Sequence, residues 1–232
     1  MKNSLPGFPI HAAVLAIALF ITGCSKPRSS NPPTASNDKA ALNDSNLAKA
    51  TFAGGCFWCL EPPLEKLDGV EAVISGYTGG PEVDPTYEQV SSGRTGHREA
   101  VQVLYDPAKV SYEKILETLW RQINPTDPGG QFADRGPQYA TGIFYHDEAQ
   151  REAAEKSKQL IADSGLFDQP IVTPIEPASP FYPAEDYHQD FYKKDPYRYK
   201  SYRYGSGRDG FISKTWDTRP DLFSESASQS GS

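Results

Sequence analysis

The chain has 232 residues, 38% of them hydrophobic, and carries 30 acidic against 23 basic side chains for a formal charge of -7. That length can bury one well-packed domain, and the acidic balance offers a nucleic acid no basic surface. With 3 cysteines, 4 scattered histidines and no second cysteine pair, the chain does not supply the usual ligand set of a structural zinc site.

In chain order, the first feature is Lys2, an apolar run over residues 12–20, and then Ile21-Thr22-Gly23-Cys24. A basic residue, a short apolar core and small residues before a cleavage point describe a secretory signal rather than a membrane span. Ile-Thr-Gly-Cys resembles a bacterial lipobox, so residues 1–23 are expected to be removed and Cys24 to carry a lipid. A plain signal peptide with an incidental cysteine is the competing reading. Lipidation would place the protein in the bacterial cell envelope, with Ser25 after Cys24 pointing to the periplasm-facing outer membrane. Residues 24–47 and 221–232 have few large apolar side chains and read as a disordered tether and tail around a domain at residues 48–220.

That domain opens with a strand over residues 50–53, then Gly54-Gly55 and Cys56-Phe57-Trp58-Cys59. The glycines permit a sharp turn into a helix from Cys56, which Pro62-Pro63 either interrupts or follows with a second helical segment. A cysteine at a helix N-terminus is favoured as the thiolate by the free N–H groups and the macrodipole. Two thiols this close can also cycle between dithiol and disulfide. A strand follows over residues 70–77, with a turn-rich loop at 76–81. Alternation over residues 99–105 puts Glu99 at the start of the face carrying Val101, Val103 and Tyr105, where desolvation raises a carboxyl pKa.

Ser111 is the N-cap of a helix reaching residue 122, with the stripe Ile115, Leu116, Leu119, Trp120 and Ile123. Residues 129–138 read as a long polar loop and 139–145 as a strand. A charged helix over residues 147–164 stops at Gly165, and an edge strand spans 171–175 despite Pro174. A short helix at 184–192 precedes a long C-terminal coil. The sum is α+β: a two-layer α/β sandwich of a mixed β-sheet and flanking helices on a ferredoxin-like core.

Several chemistries use a CxxC. A c-type haem needs His after the second cysteine, where Leu60 stands, and a papain-like nucleophile has its aromatic after that cysteine rather than before it. A thioredoxin-like thiol-disulfide oxidoreductase survives, as does a non-catalytic lipoprotein that binds through its aromatic side chains. Six segments go further: residues 54–61 (GGCFWCLE), 76–80 (GYTGG), 85–87 (PTY), 95–101 (TGHREAV), 134–139 (DRGPQY) and 184–189 (AEDYHQ). Together and in this order they resemble the peptide methionine sulfoxide reductase A family, over residues 49–216.

The resemblance implies reduction of methionine-S-sulfoxide, free or protein-bound, the reaction that reverses this lesion. It implies that Cys56 is the nucleophile and Glu99 the general acid. Tyr87 and Tyr139 correspond to phenols that bind the sulfoxide oxygen, Asp134 to the acidic residue beside them, and Phe57 and Trp58 to the wall receiving the substrate methyl. His97 is read as structural. Many members resolve the oxidised nucleophile with cysteines near the C-terminus, which this chain lacks, leaving Cys59 and a Cys56–Cys59 disulfide. The resemblance further implies no cofactor and an external thioredoxin-like dithiol as reductant. Separately, a monomer is expected, touching the membrane only through the lipid on Cys24.

Overall fold

The computed structural model describes residues 46–224. The expected signal segment, Cys24, the tether up to residue 45 and the tail from residue 225 lie outside the described residues. Within them, β1 (Ala48–Gly54), β2 (Val70–Thr78), β3 (Arg98–Tyr105), β6 (Thr141–Tyr145), β7 (Ile175–Pro177) and β8 (Tyr182–Pro183) form one sheet ordered β7-β6-β1-β3-β2-β8. Only the β6–β7 pairing is parallel, so the sheet is mixed. A second, two-stranded sheet pairs β4 (Gly130–Gln131) with β5 (Asp134–Arg135).

The helices are α1 (Glu61–Glu65), α2 (Tyr87–Ser91), α3 (Tyr112–Trp120), α4 (Glu148–Asp163), α5 (Phe191–Lys194), α6 (Pro196–Gly205) and α7 (Arg208–Lys214). Strands β6-β1-β3-β2, with helical connections from β1 to β2 and from β3 to β6, make the ferredoxin-like βαββαβ core. Ser111 caps α3 by accepting from the Lys114 N–H at 3.2 Å, and Asp147 caps α4 through the Gln150 N–H at 2.8 Å. Ile115, Leu116, Leu119, Trp120 and Ile123 are fully buried against Phe52, Val101 and Val103 of the sheet. Each such side chain contributes about 1.5–3 kcal/mol.

Five expectations are corrected, the first being the helix over 184–192: residues 184–190 are turn and irregular chain, and the helix there is α5, which starts at Phe191. Residues 76–78 are strand, not loop, because Gly76 and Tyr77 pair on both sides, with β3 and with β8. The polar stretch 129–138 holds the β4–β5 hairpin, and Tyr139 belongs to a 3₁₀ turn (Pro137–Tyr139) before β6 rather than to the strand. The edge strand starts at Ile175: Pro174 gives its carbonyl to the Ile143 N–H but has no N–H of its own for the ladder. The C-terminal region is helical rather than coil. Its α6 begins with Pro196 behind an Asp195 cap, and Trp216 and Leu222 bury themselves in the main core.

Candidate active site

The site lies at one end of the sheet. Register brings Tyr77 of β2 opposite Glu99 of β3 and Gly54 of β1 opposite Thr141 of β6. The last residues of β1 and β2 therefore meet the first residues of β3 and β6. Gly55 turns the chain with φ +81°, and an added Cβ would stand 2.6 Å from the Gln131 side chain and 2.9 Å from that of Arg208. Cys56 follows in extended backbone, then a three-residue 3₁₀ turn, Phe57–Cys59. Pro62 then opens α1, the second of the two readings of Pro62-Pro63.

Glu99 is 2% exposed, and one of its carboxylate oxygens accepts the Phe57 N–H at 3.1 Å. Burial pushes its pKa up to about 8, against the pull of that hydrogen bond, with the Asp134 and Cys59 charges adding to the rise. Near neutral pH it is an acid with a proton to give. The Cys56 thiol does not behave as expected from a helix N-terminus: burial pushes it well above the ordinary thiol value, reinforced by its hydrogen bond to Cys59 and by the Glu99 charge. A three-residue 3₁₀ turn has too short a dipole to offset enclosure beside carboxyl groups. Cys59 moves the opposite way, to about 6, because Cys56 donates to it and the Arg208 and Arg203 charges oppose its own burial. Both thiols are free.

Tyr87 stands at the start of α2, where Thr86 and Gln89 form a capping box and Glu185 accepts the Tyr87 N–H at 2.9 Å. Its phenol is pushed up to about 12 by burial and then by the Glu99 and Cys56 charges. Burial and the charges of Glu99, Tyr87, Asp134 and Cys56 also raise Tyr139. These shared influences bring Cys56, Glu99, Tyr87, Tyr139 and Asp134 into one electrostatic neighbourhood. The pKa of Asp134 is raised by burial while its carboxylate accepts a hydrogen bond from the Tyr202 hydroxyl.

The two aromatics between the cysteines divide. Phe57 is 1% exposed and its ring packs with Tyr77 and His188, whereas Trp58 is half-buried. The Trp58 indole stacks on Phe191 with centroids 3.7 Å apart, meets Tyr202 edge-on at 6.0 Å, and donates its N–H to His188 Nδ1 at 3.1 Å. That bond assigns the neutral Nε2–H tautomer to His188, whose pKa falls to about 4 through burial. His97 accepts from the Gly80 N–H and bonds the Glu82 carbonyl, tying down the loop after β2 as a structural residue would.

Sequence reasoning missed Tyr202, His188, Glu185, Arg203 and Arg208. Glu185 and His188 lie in the AEDYHQ segment already noted, but no spacing rule joins them to Cys56, more than 120 positions earlier. Tyr202 sits in a helix so rich in tyrosine that nothing local marks it.

A family model described as "Peptide methionine sulfoxide reductase" matches residues 48–220. Among similar proteins, the peptide methionine sulfoxide reductase MsrA of Bacillus subtilis is 59% identical, over 72% of this chain and 94% of that protein. That of Listeria monocytogenes is 55% identical, over 75% and 99%. Among solved structures, the reduced form of Mxr1 from Saccharomyces cerevisiae has a TM-score of 0.61 at 31% identity, covering 67% of this chain and 89% of that one. Methionine sulfoxide reductase A of Corynebacterium diphtheriae has a TM-score of 0.57 at 29% identity, covering 66% and 77%.

Proposed function

The chain belongs to the peptide methionine sulfoxide reductase A family and reduces methionine sulfoxide, and from that premise we propose how its own residues share the work. Cys56 attacks the sulfoxide sulfur of the S epimer, free or within a protein, while Glu99 protonates the departing oxygen. The carrying observation is the buried Glu99 carboxyl held on the Phe57 N–H, one residue from the nucleophile, with its pKa pushed up to about 8. Tyr87 and Tyr139 hold the oxygen, Asp134 is oriented by Tyr202, and Trp58 with the packed Phe57 ring lines the methyl side.

Cys56 and Glu99 both rest protonated, so neither member of the attacking pair carries a charge before substrate binds. Glu99 gives its proton to the oxygen and takes the thiol proton of Cys56. The sulfur–oxygen bond of the substrate breaks as the protonated oxygen passes to the Cys56 sulfur, the bond between the two sulfurs opens with its electron pair going to the substrate sulfur, and the thioether leaves Cys56 as a sulfenic acid. Cys59 then attacks Cys56, forming the disulfide and releasing water, and a thioredoxin-type dithiol reopens it by exchange.

The test mixes the purified enzyme with S- and R-sulfoxide peptides and thioredoxin. Turnover is expected on the S form alone, none with Cys56→Ser, and about one methionine per enzyme with Cys59→Ser before it stalls. Full thioredoxin-driven turnover by Cys59→Ser would remove Cys59 from the resolving role.

The export and lipid-anchoring reading rests on Lys2, the apolar run and the lipobox-like Ile21-Thr22-Gly23-Cys24. On that reading the domain hangs from the periplasm-facing side of the bacterial outer membrane. Cys24→Ala should move the protein from the membrane to the soluble fraction of a fractionated cell. An unchanged distribution would refute the lipid.

A further inference from the structure

Arg208 is an anomaly among the cations of the site. It is 1% exposed, yet among the described residues no carboxylate comes within ion-pairing distance of it. Its guanidinium donates to two backbone carbonyls, Gln122 at 2.5 Å and Gly54 at 3.0 Å, and lies over the Phe132 ring at 4.7 Å, while its Nε has no partner. A buried cation in no ion pair is expensive, because carbonyl dipoles, a ring face and the more distant Asp134 charge replace only part of its hydration. Gly54 O, which it clamps, belongs to the turn that delivers Cys56 and Cys59. The neighbouring Arg203 differs: it donates to Cys59 O at 2.9 Å but already pairs with Asp209 at 2.6 Å.

We propose that Arg208 is a positioning residue for the second half-reaction, its buried guanidinium, clamped on the Gly54 turn and in no ion pair, holding the Cys59 sulfur as the thiolate that resolves oxidised Cys56. The inference rests on the reading of Cys59 as the resolving cysteine. The groups acting on that sulfur come from every side: Cys56 on the same turn, Glu99 on β3, Asp134 on β5, Tyr199, Tyr202 and Arg203 on α6, and Arg208 on α7, with Asp209 facing Arg203. Of these only Cys56, by hydrogen bonding, and the two arginines, by charge, favour the anion, and Asp134 opposes it. The S–H that Cys56 donates is gone once Cys56 carries oxygen. The arginines then remain, and Arg208 is the one in no ion pair, its charge reaching the Asp134 carboxylate only from beyond ion-pairing distance.

In this step the Cys59 thiolate attacks the Cys56 sulfenic sulfur, an S–S bond forms, the S–O bond breaks, and hydroxide leaves as water after taking a proton. Cys56 sulfur is reduced and Cys59 sulfur oxidised, with no outside reductant. In the later exchange the same charge favours departure of Cys59 as thiolate when a dithiol attacks Cys56.

Arg208→Gln and Arg208→Lys, each with the S-sulfoxide peptide in single turnover, separate the steps. In Arg208→Gln the methionine burst is expected to keep its rate while disulfide formation slows about tenfold at pH 7, recovers toward pH 9, and is restored in Arg208→Lys. A slower burst and disulfide step with an unshifted pH profile would make Arg208 merely structural, and an unchanged disulfide rate would likewise overturn the proposal. If Arg208→Gln does not fold, Cys56→Ala with Arg208 intact still tests it, since Cys59 is then the only thiol of the site and has lost the hydrogen bond that Cys56 gave. Its alkylation rate should titrate below the free-thiol value of about 8.5, and titration at or above that value overturns the proposal. This readout needs no turnover, so it fails independently of the reductase reading.

Discussion

Glu99 ties the chemistry of this site to its stability through a single proton. A general acid works only while protonated, so kcat/KM for the sulfoxide should hold up to about pH 8 and then fall tenfold per pH unit. Glu99→Gln should lower it by about 10²–10⁴ and abolish that inflection. A variant that kept its rate across pH would refute the assignment. The same carboxyl burdens the fold. Below the ordinary value of 4.5 it is protonated whether the chain is folded or not, so it then subtracts nothing. Between 4.5 and about 8 the unfolded chain ionises while the folded one cannot, so stability drains away as pH rises through that window. Glutamine keeps an acceptor for the Phe57 N–H without this penalty. At pH 8 Glu99→Gln should therefore be more stable than the parent to urea by on the order of 2 kcal/mol. The burial that makes Glu99 an acid was legible from its place in an alternating apolar strand. The raised Cys56 pKa was not, because it depends on enclosure by β3 and β5, which no neighbour in sequence reports.

At the scale of elements, what could be read depended on whether the local signal was also the deciding one. α3 and α4 carry their own caps and stripes, and both were legible nearly to the residue, as was the strand bearing Glu99. The turn before Cys56 shows the limit. Gly54-Gly55 announces a bend, but the reason Gly55 can carry no side chain lies in Gln131 and Arg208, brought there by the β4–β5 hairpin and by α7. Pro62-Pro63 left two readings open, and packing settled it: Glu61, Pro62 and Leu64 are all buried, so the prolines open a helix seated on the sheet. Strand β7 is three residues long, with Ile175 packed on the core and the central Glu176 in a bidentate pair with Arg98 at 2.7 and 3.3 Å. The β-branched residues 171–173 look more like strand, but they lie ahead of Pro174 and outside the ladder.

At the scale of the whole molecule, the two halves of the site are held by different parts of the fold. Cys56, Glu99 and Tyr87 ride on the end of the sheet and its short connections. Tyr202, Arg203 and Arg208 come from the C-terminal helices, whose sequence, rich in Tyr, Lys and Gly, reads as coil because their apolar anchor lies beyond them. That anchor is Trp216: fully buried, it donates its indole N–H to Ile123 O at 2.9 Å and meets Phe167 edge-on at 5.3 Å. Arg121 strengthens the closure by donating to the carbonyls of Trp216, Arg219 and Pro220. Removing the ring leaves a large cavity and an unpaired carbonyl, so Trp216→Ala should lower unfolding free energy by about 3–5 kcal/mol with an unchanged urea m-value. Its kinetic signature should be uneven. At a temperature where the variant is still folded, the single-turnover methionine burst should be slowed less, because Cys56, Glu99, Tyr87 and Tyr139 lie outside the C-terminal helices and only the Tyr202 support of Asp134 comes from them. Disulfide formation should slow, because α7 and its buried guanidinium are no longer held against the Gly54 turn. Equal slowing of both steps would mean that the C-terminal helices support the site as one body, and a loss of stability below about 1 kcal/mol would show that Trp216 is not their anchor.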